Sequence, residues 1–157
     1  LDNIYNKTAE QSKNYLFNRS NDKKIEFMME FFQLNFILIL WYMKSKKMNT
    51  EYIEYLVKQY VKDLEFSIIE MGGSETSLRK KIRTMMGNFY SKLYSFSENF
   101  DRFVTLKKKS EIKKLLKKNF SILVNLKLLE KYLEHNILEL NSLEENDFWN
   151  LNFFDNY

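Results

Sequence analysis

Apolar residues recur at intervals of three and four along most of this 157-residue chain, the spacing that lines up side chains on one side of an α-helix. The series Ile53, Val57, Tyr60, Leu64, Ser67 or Ile68, and Met71 predicts a helix that starts after Asn49 and Thr50. Glu51 and Glu54 fall in its first turn, where the helix dipole favours acids. Gly72-Gly73 is expected to end it, because glycine tolerates the left-handed cap conformation. Ser74 can then cap a long following helix, with Glu75 next and Leu78, Ile82, Met85, Phe89, Leu93, Phe96, Phe100 and Phe103 as its apolar stripe. Before this pair, the pattern predicts a first helix from Ile4 to Phe17, a polar loop Asn18-Arg19-Ser20-Asn21-Asp22, and a second helix from Lys23 to Lys46. After it come a fifth helix opened by Ser110-Glu111, carrying Ile112, Leu115, Leu116 and Phe120, and a sixth following or continuing it through Ile122, Leu126, Leu129, Leu133 and Ile137. The tail from Ser142 to Tyr157 mixes acidic and aromatic residues, and its Phe148, Trp149, Phe153 and Phe154 are expected to dock on the body, since four exposed rings would make an aggregation-prone surface. The fold class that follows is all-α, a single-domain bundle of about six amphipathic helices over residues 1–157.

Composition sharpens this picture. The chain has no proline and three glycines, which permits long uninterrupted helices and does not suit a β-sandwich with a turn every ten residues or so. Fourteen Phe, ten Tyr and two Trp predict a core rich in rings. The most apolar stretch, Phe31 to Met43, has 13 residues between Glu30 and Lys44. A membrane-spanning helix needs about 20, so the stretch reads as a buried core helix. Without cysteine there is no disulfide framework, thiolate metal site or cysteine nucleophile. The formal charge of +4 comes mainly from lysine, as expected of an AT-rich coding sequence, and carries little information about partners.

The residues of catalysis are sparse. The only histidine, His135, lies four residues before Glu139, a spacing that can present two metal ligands, but no helix offers a matching Glu-x-x-His pair. It reads as a surface histidine. Gly72-Gly73-Ser74 precedes a helix, yet it lacks the spaced glycines and the Gly-Lys-Ser/Thr ending of a phosphate loop, so a helix-to-helix turn is the reading. No enzyme activity, cofactor or metal is expected. The basic residues gather at Arg79, Lys80, Lys81 and Arg83, and again at Lys107, Lys108, Lys109, Lys113, Lys114, Lys117 and Lys118. The pairs Lys113/Lys117 and Lys114/Lys118 set like charges at i,i+4, which costs a few tenths of a kcal/mol each. Two readings stay open for this face: a solvated surface, or contact with an anionic partner such as phospholipid headgroups or RNA. A helical ribosome- or nucleic-acid-binding module is accordingly the alternative function.

The segment Asp63-Leu64-Glu65-Phe66-Ser67-Ile68-Ile69-Glu70-Met71-Gly72, then Lys80 to Met85, Phe89-Tyr90-Ser91-Lys92 and Phe96, resembles the central signature of the ubiquinol–cytochrome c chaperone family. Ile25 to Leu40 is similar to that family's first core helix, Lys118-Asn119 falls at its Arg-Asn, and Tyr132 with Phe153 fits its closing helix and tail. The chain departs from the pattern at Ile69, at Gly72-Gly73-Ser74-Glu75 and at Ser91-Lys92, where Lys92 supplies a point charge in place of a guanidinium. The resemblance implies a non-enzymatic all-α chaperone that binds newly made cytochrome b and helps it enter the cytochrome bc1 complex, with no small-molecule substrate. It further implies a second assembly factor and the ribosome as partners, on the matrix side of the mitochondrial inner membrane or the cytoplasmic face of a bacterial one; peripheral contact with an anionic membrane is the expectation from the lysine cluster. Partner contacts are expected on the third and fourth helices. Met86 and Tyr90 would be apolar contacts, with Glu70, Arg79, Arg83 and Lys92 as a charged rim. Lys113, Lys114, Lys117 and Lys118 would meet an anionic surface. Two alternatives stand beside these: any one of Met28, Met29, Met85 and Met86 reads first as ordinary core material, and Asp63, Glu65 and Glu70 can pair with Arg79, Lys80 and Arg83 across the turn.

Overall fold

The computed structural model describes residues 1–13, 24–107, 110–120 and 125–155. The loop expected at 18–22, the end of the first helix, Lys108, Lys109, Ile122 and the junction of the fifth and sixth helices lie outside them. The described residues form seven helices and no strand: α1 Asp2–Gln11, α2 Lys24–Ser45, α3 Thr50–Glu70, α4 Glu75–Leu106, α5 Ser110–Asn119, α6 Leu126–Ser142 and α7 Glu145–Trp149. The architecture is all-α, as the periodicity predicts. α7 was not foreseen as a helix; it is a five-residue element within the tail.

α2 is the axis of the molecule. Apolar residues occur on every side of it, which marks a helix enclosed by protein, and α1, α3, α4 and α6 all pack against it. From Leu34 to Met43 each of its side chains is buried, including the polar Asn35. Among the described residues no helix is long and apolar enough to cross a membrane.

Rings fill the space around α2. Phe36 packs on Tyr5 of α1, Tyr60 of α3 and Phe89 of α4, at centroid distances of 5.9, 5.4 and 5.7 Å. Such pairs add roughly 0.5–1.5 kcal/mol each beyond the area they bury. Polar links fix the azimuth of the helices. The Tyr132 hydroxyl donates to Asn35 Oδ1 at 2.7 Å and accepts from Gln11 Nε2 at 3.0 Å, joining α6, α2 and α1. Trp41 Nε1 donates to Asp101 Oδ1 of α4 at 2.9 Å.

The tail closes one end of the bundle. Phe148, Phe153 and Phe154 are buried, Phe148 with its ring 4.6 Å from that of Tyr42. Lys7 holds the chain end: its ammonium donates to the Leu151 carbonyl and to Asp155 Oδ1, and sits 5.2 Å from the Phe153 ring centroid. Trp149 departs from the expected docking. Its edge meets Tyr52 at 5.7 Å, but it stays among the exposed large side chains, because it lies on the outer side of a single-turn helix.

Candidate functional site

The hairpin of α3 and α4 is built by local sequence. Asn49 caps α3 by accepting from the Glu51 amide at 3.0 Å. At the other end the Gly73 amide donates to the Ile68 carbonyl and the Gly72 amide to the Ile69 carbonyl, at 3.1 and 3.0 Å. This crossed pair is the Schellman closure, which places one residue in the left-handed region; that residue is Gly72, at φ +83°. Ser74 then accepts from the Ser77 amide as the N-cap of α4. Gly72-Gly73-Ser74 is thus a helix-to-helix turn.

Leu56, Tyr60, Leu64 and Ile68 form the inward side of α3, and Met86, Phe89, Phe96, Phe100 and Phe103 that of α4. Tyr60 locks the two together, with its ring 5.1 Å from Phe89 and its hydroxyl accepting from Gln33 Nε2 at 2.7 Å. Burial raises the pKa of that phenol, so it stays neutral.

Met86 is the clear correction to the expected contacts. It is 8% exposed and belongs to the core, not to a groove. Successive helical residues turn by about 100°, and Met85 and Met86 fall on either side of the line through Phe89 and Phe96, so both face inward. Lys92 is also half-buried rather than a free rim cation: its ammonium donates to Gln33 Oε1 at 3.0 Å. Met71, expected on the inner stripe of α3, lies past the helix end and is 75% exposed.

The remaining expected contacts do lie on the surface. Glu70, Arg79 and Arg83 are exposed, and the Tyr90 side chain is 51% exposed. The turn does not pair its charges: among the described residues no ion pair joins Asp63, Glu65 or Glu70 to Arg79, Lys80 or Arg83. Asp63 instead accepts from the Tyr5 hydroxyl at 2.5 Å. Further exposed apolar side chains on this hairpin include Phe66 at 63%, Ile69 at 56% and Tyr94 at 71%. Phe66 and Ile69 fall off the apolar stripe of α3, and an apolar residue off the stripe is the sequence signal for an exposed one.

On α5, Ile112 and Leu116 turn inward, as does Phe120 just past its end, and Lys113, Lys114, Lys117 and Lys118 outward. His135 is half-buried, beside a buried Asn136 that donates from Nδ2 to the Tyr132 carbonyl. Among the described residues no group of three or more acidic or histidine side chains is placed to hold a metal ion.

The family model described as ubiquinol-cytochrome C chaperone matches residues 19–153, most of the chain. No curated protein and no solved structure matches it.

Proposed function

The chain belongs to the ubiquinol–cytochrome c chaperone family, and from that premise we propose that it is a non-enzymatic assembly chaperone that binds newly made cytochrome b and promotes its entry into the cytochrome bc1 complex. The observation that supports this most is the uncovered apolar surface of the α3–α4 hairpin: Phe66, Ile69, Met71, Tyr90 and Tyr94. Soluble chains ordinarily keep such patches small unless something docks on them. A client made of membrane helices presents apolar faces that this surface can cover, and the thioether of Met71 adapts to irregular contacts. Glu70, Arg79 and Arg83 are exposed on the same hairpin near its turn and supply polar contacts beside the apolar ones. A second assembly factor and the ribosome complete the partner set. The lysines of α5 face an anionic membrane, on the matrix side of the inner membrane or its bacterial counterpart.

The test is a Phe66→Asp, Tyr90→Asp double variant. Both side chains are exposed, so the chain should keep its melting temperature while losing co-purifying cytochrome b and failing to support bc1 assembly. A folded variant that still carries cytochrome b and restores assembly removes the hairpin as the binding surface.

A further inference from the structure

α4 carries a glycine that the fold does not need. Gly87 lies inside a 32-residue helix and is exposed to solvent, and a Cβ added there would meet no atom within 4 Å. Glycine inside a helix is less stable than alanine, and the chain uses its other two glycines only at the α3–α4 turn. Nothing among the described residues accounts for Gly87.

Its surroundings point to what does. Arg79, Arg83, Gly87, Tyr90 and Tyr94 follow one another at spacings of four, four, three and four, which places them on one side of the helix, and all five are exposed. Arg79 and Arg83 take part in no ion pair among the described residues. Bare helix backbone is thus set between two unpaired cations and two uncovered phenol rings. Packed helices ordinarily keep their axes about 8–10 Å apart, and a residue without a side chain lets a second helix come closer.

We infer that the outer side of α4 holds an α-helix of a partner protein, crossing at Gly87 over a small residue of its own. Its acidic residues meet Arg79 and Arg83, and its apolar residues lie against Tyr90 and Tyr94. Charge complementarity selects an acidic helix over a basic one, and the gap at Gly87 selects a helix over a broad, flat surface. This rests on the reading of the α3–α4 hairpin as the docking surface, and it specifies the form and charge of the segment that surface takes.

The full chain is tested with cytochrome b as the probe, in cells where each variant replaces the natural protein. Gly87→Ala should melt at the same temperature or higher but bind cytochrome b several-fold more weakly, because its methyl group occupies the closest point of the crossing. Gly87→Trp should also stay folded but bind about tenfold or more weakly, as should the pair Arg79→Glu, Arg83→Glu, in the manner of a blocked central contact. Binding by the natural chain should weaken as salt is raised, and a photocrosslinking residue at position 91 should attach to an acidic helical segment. Natural-level binding by Gly87→Trp overturns the helix crossing. If Phe66→Asp, Tyr90→Asp binds normally as well, the docking surface itself is wrong. A natural chain that sediments as a dimer, and that Gly87→Trp converts to monomer, makes the occupant a second copy and overturns the inference. So does attachment to a basic or extended segment. Should Gly87→Trp lower the melting temperature, Gly87→Gln decides by the same measurements.

Discussion

Two adjacent glycines at the end of α3 serve two different physical needs. Gly72 sits at φ +83° with open space around it, so the constraint there is conformational. Gly73 has ordinary φ, but a Cβ would come within 2.7 Å of Ile68 Cγ2 and 3.0 Å of the Ile68 carbonyl oxygen, so the constraint there is steric. A Gly72→Val chain should lose about 1 kcal/mol or more of stability in urea unfolding, since a β-branched residue is strained in the left-handed region; unchanged stability would contradict that account. Caps of this kind are legible in sequence because they depend on residues within one turn: Gly72 and Ser74 stand where the pattern puts them, while α3 begins at Thr50, one residue earlier than expected, with Asn49 as its cap. The destination of Met86 is not local in that sense. Two methionines in a row both lie near the inner line of α4, and their burial depends on how widely the neighbouring helices wrap it. Lys92 was hidden for the same reason, because its partner Gln33 is 59 positions away.

Among the elements, α4 was read most fully, since its apolar residues hold the period over 32 residues. The apolar run of α2 marks it as a core helix, but not as the one on which α1, α3, α4 and α6 all pack. That follows from which stripes face inward, and a single helix does not record it. α5 is the opposite case: ten residues with a narrow inner stripe and four outward lysines. Replacing Lys113, Lys114, Lys117 and Lys118 by Gln relieves the i,i+4 repulsions and should leave stability unchanged or raised by a few tenths of a kcal/mol. The same variant should float less with vesicles containing anionic phospholipid at low salt. Equal flotation of the two chains would mark this face as simply solvated.

Taken as a whole, the molecule is held by rings with their hydroxyls turned to specific partners, and this sets its response to alkali. Burial raises the pKa of Tyr132 and, with Asp63 alongside, that of Tyr5; Tyr42 is pushed up to about 12 by burial and by Glu145, Glu144 and Asp147. A phenol whose folded pKa is raised favours folding while it is protonated. That stability is fully present below the unfolded value of about 10 and is lost as pH rises through and beyond it. Urea midpoints should therefore stay level from neutrality to about pH 9.5 and fall steeply above pH 10. The fall should be shallower in Tyr5→Phe; an equal slope would remove Tyr5 from the account. The enclosure of α2 has a separate consequence, for how a bound protein leaves. With rings and polar ties on every side of that helix, the bundle cannot part like a jaw without wetting its own axis. On the docking surface proposed above, cargo would therefore leave the way an object leaves a shelf, through competition at the outer surface by the next protein in line, with the body of the bundle unchanged by the exchange.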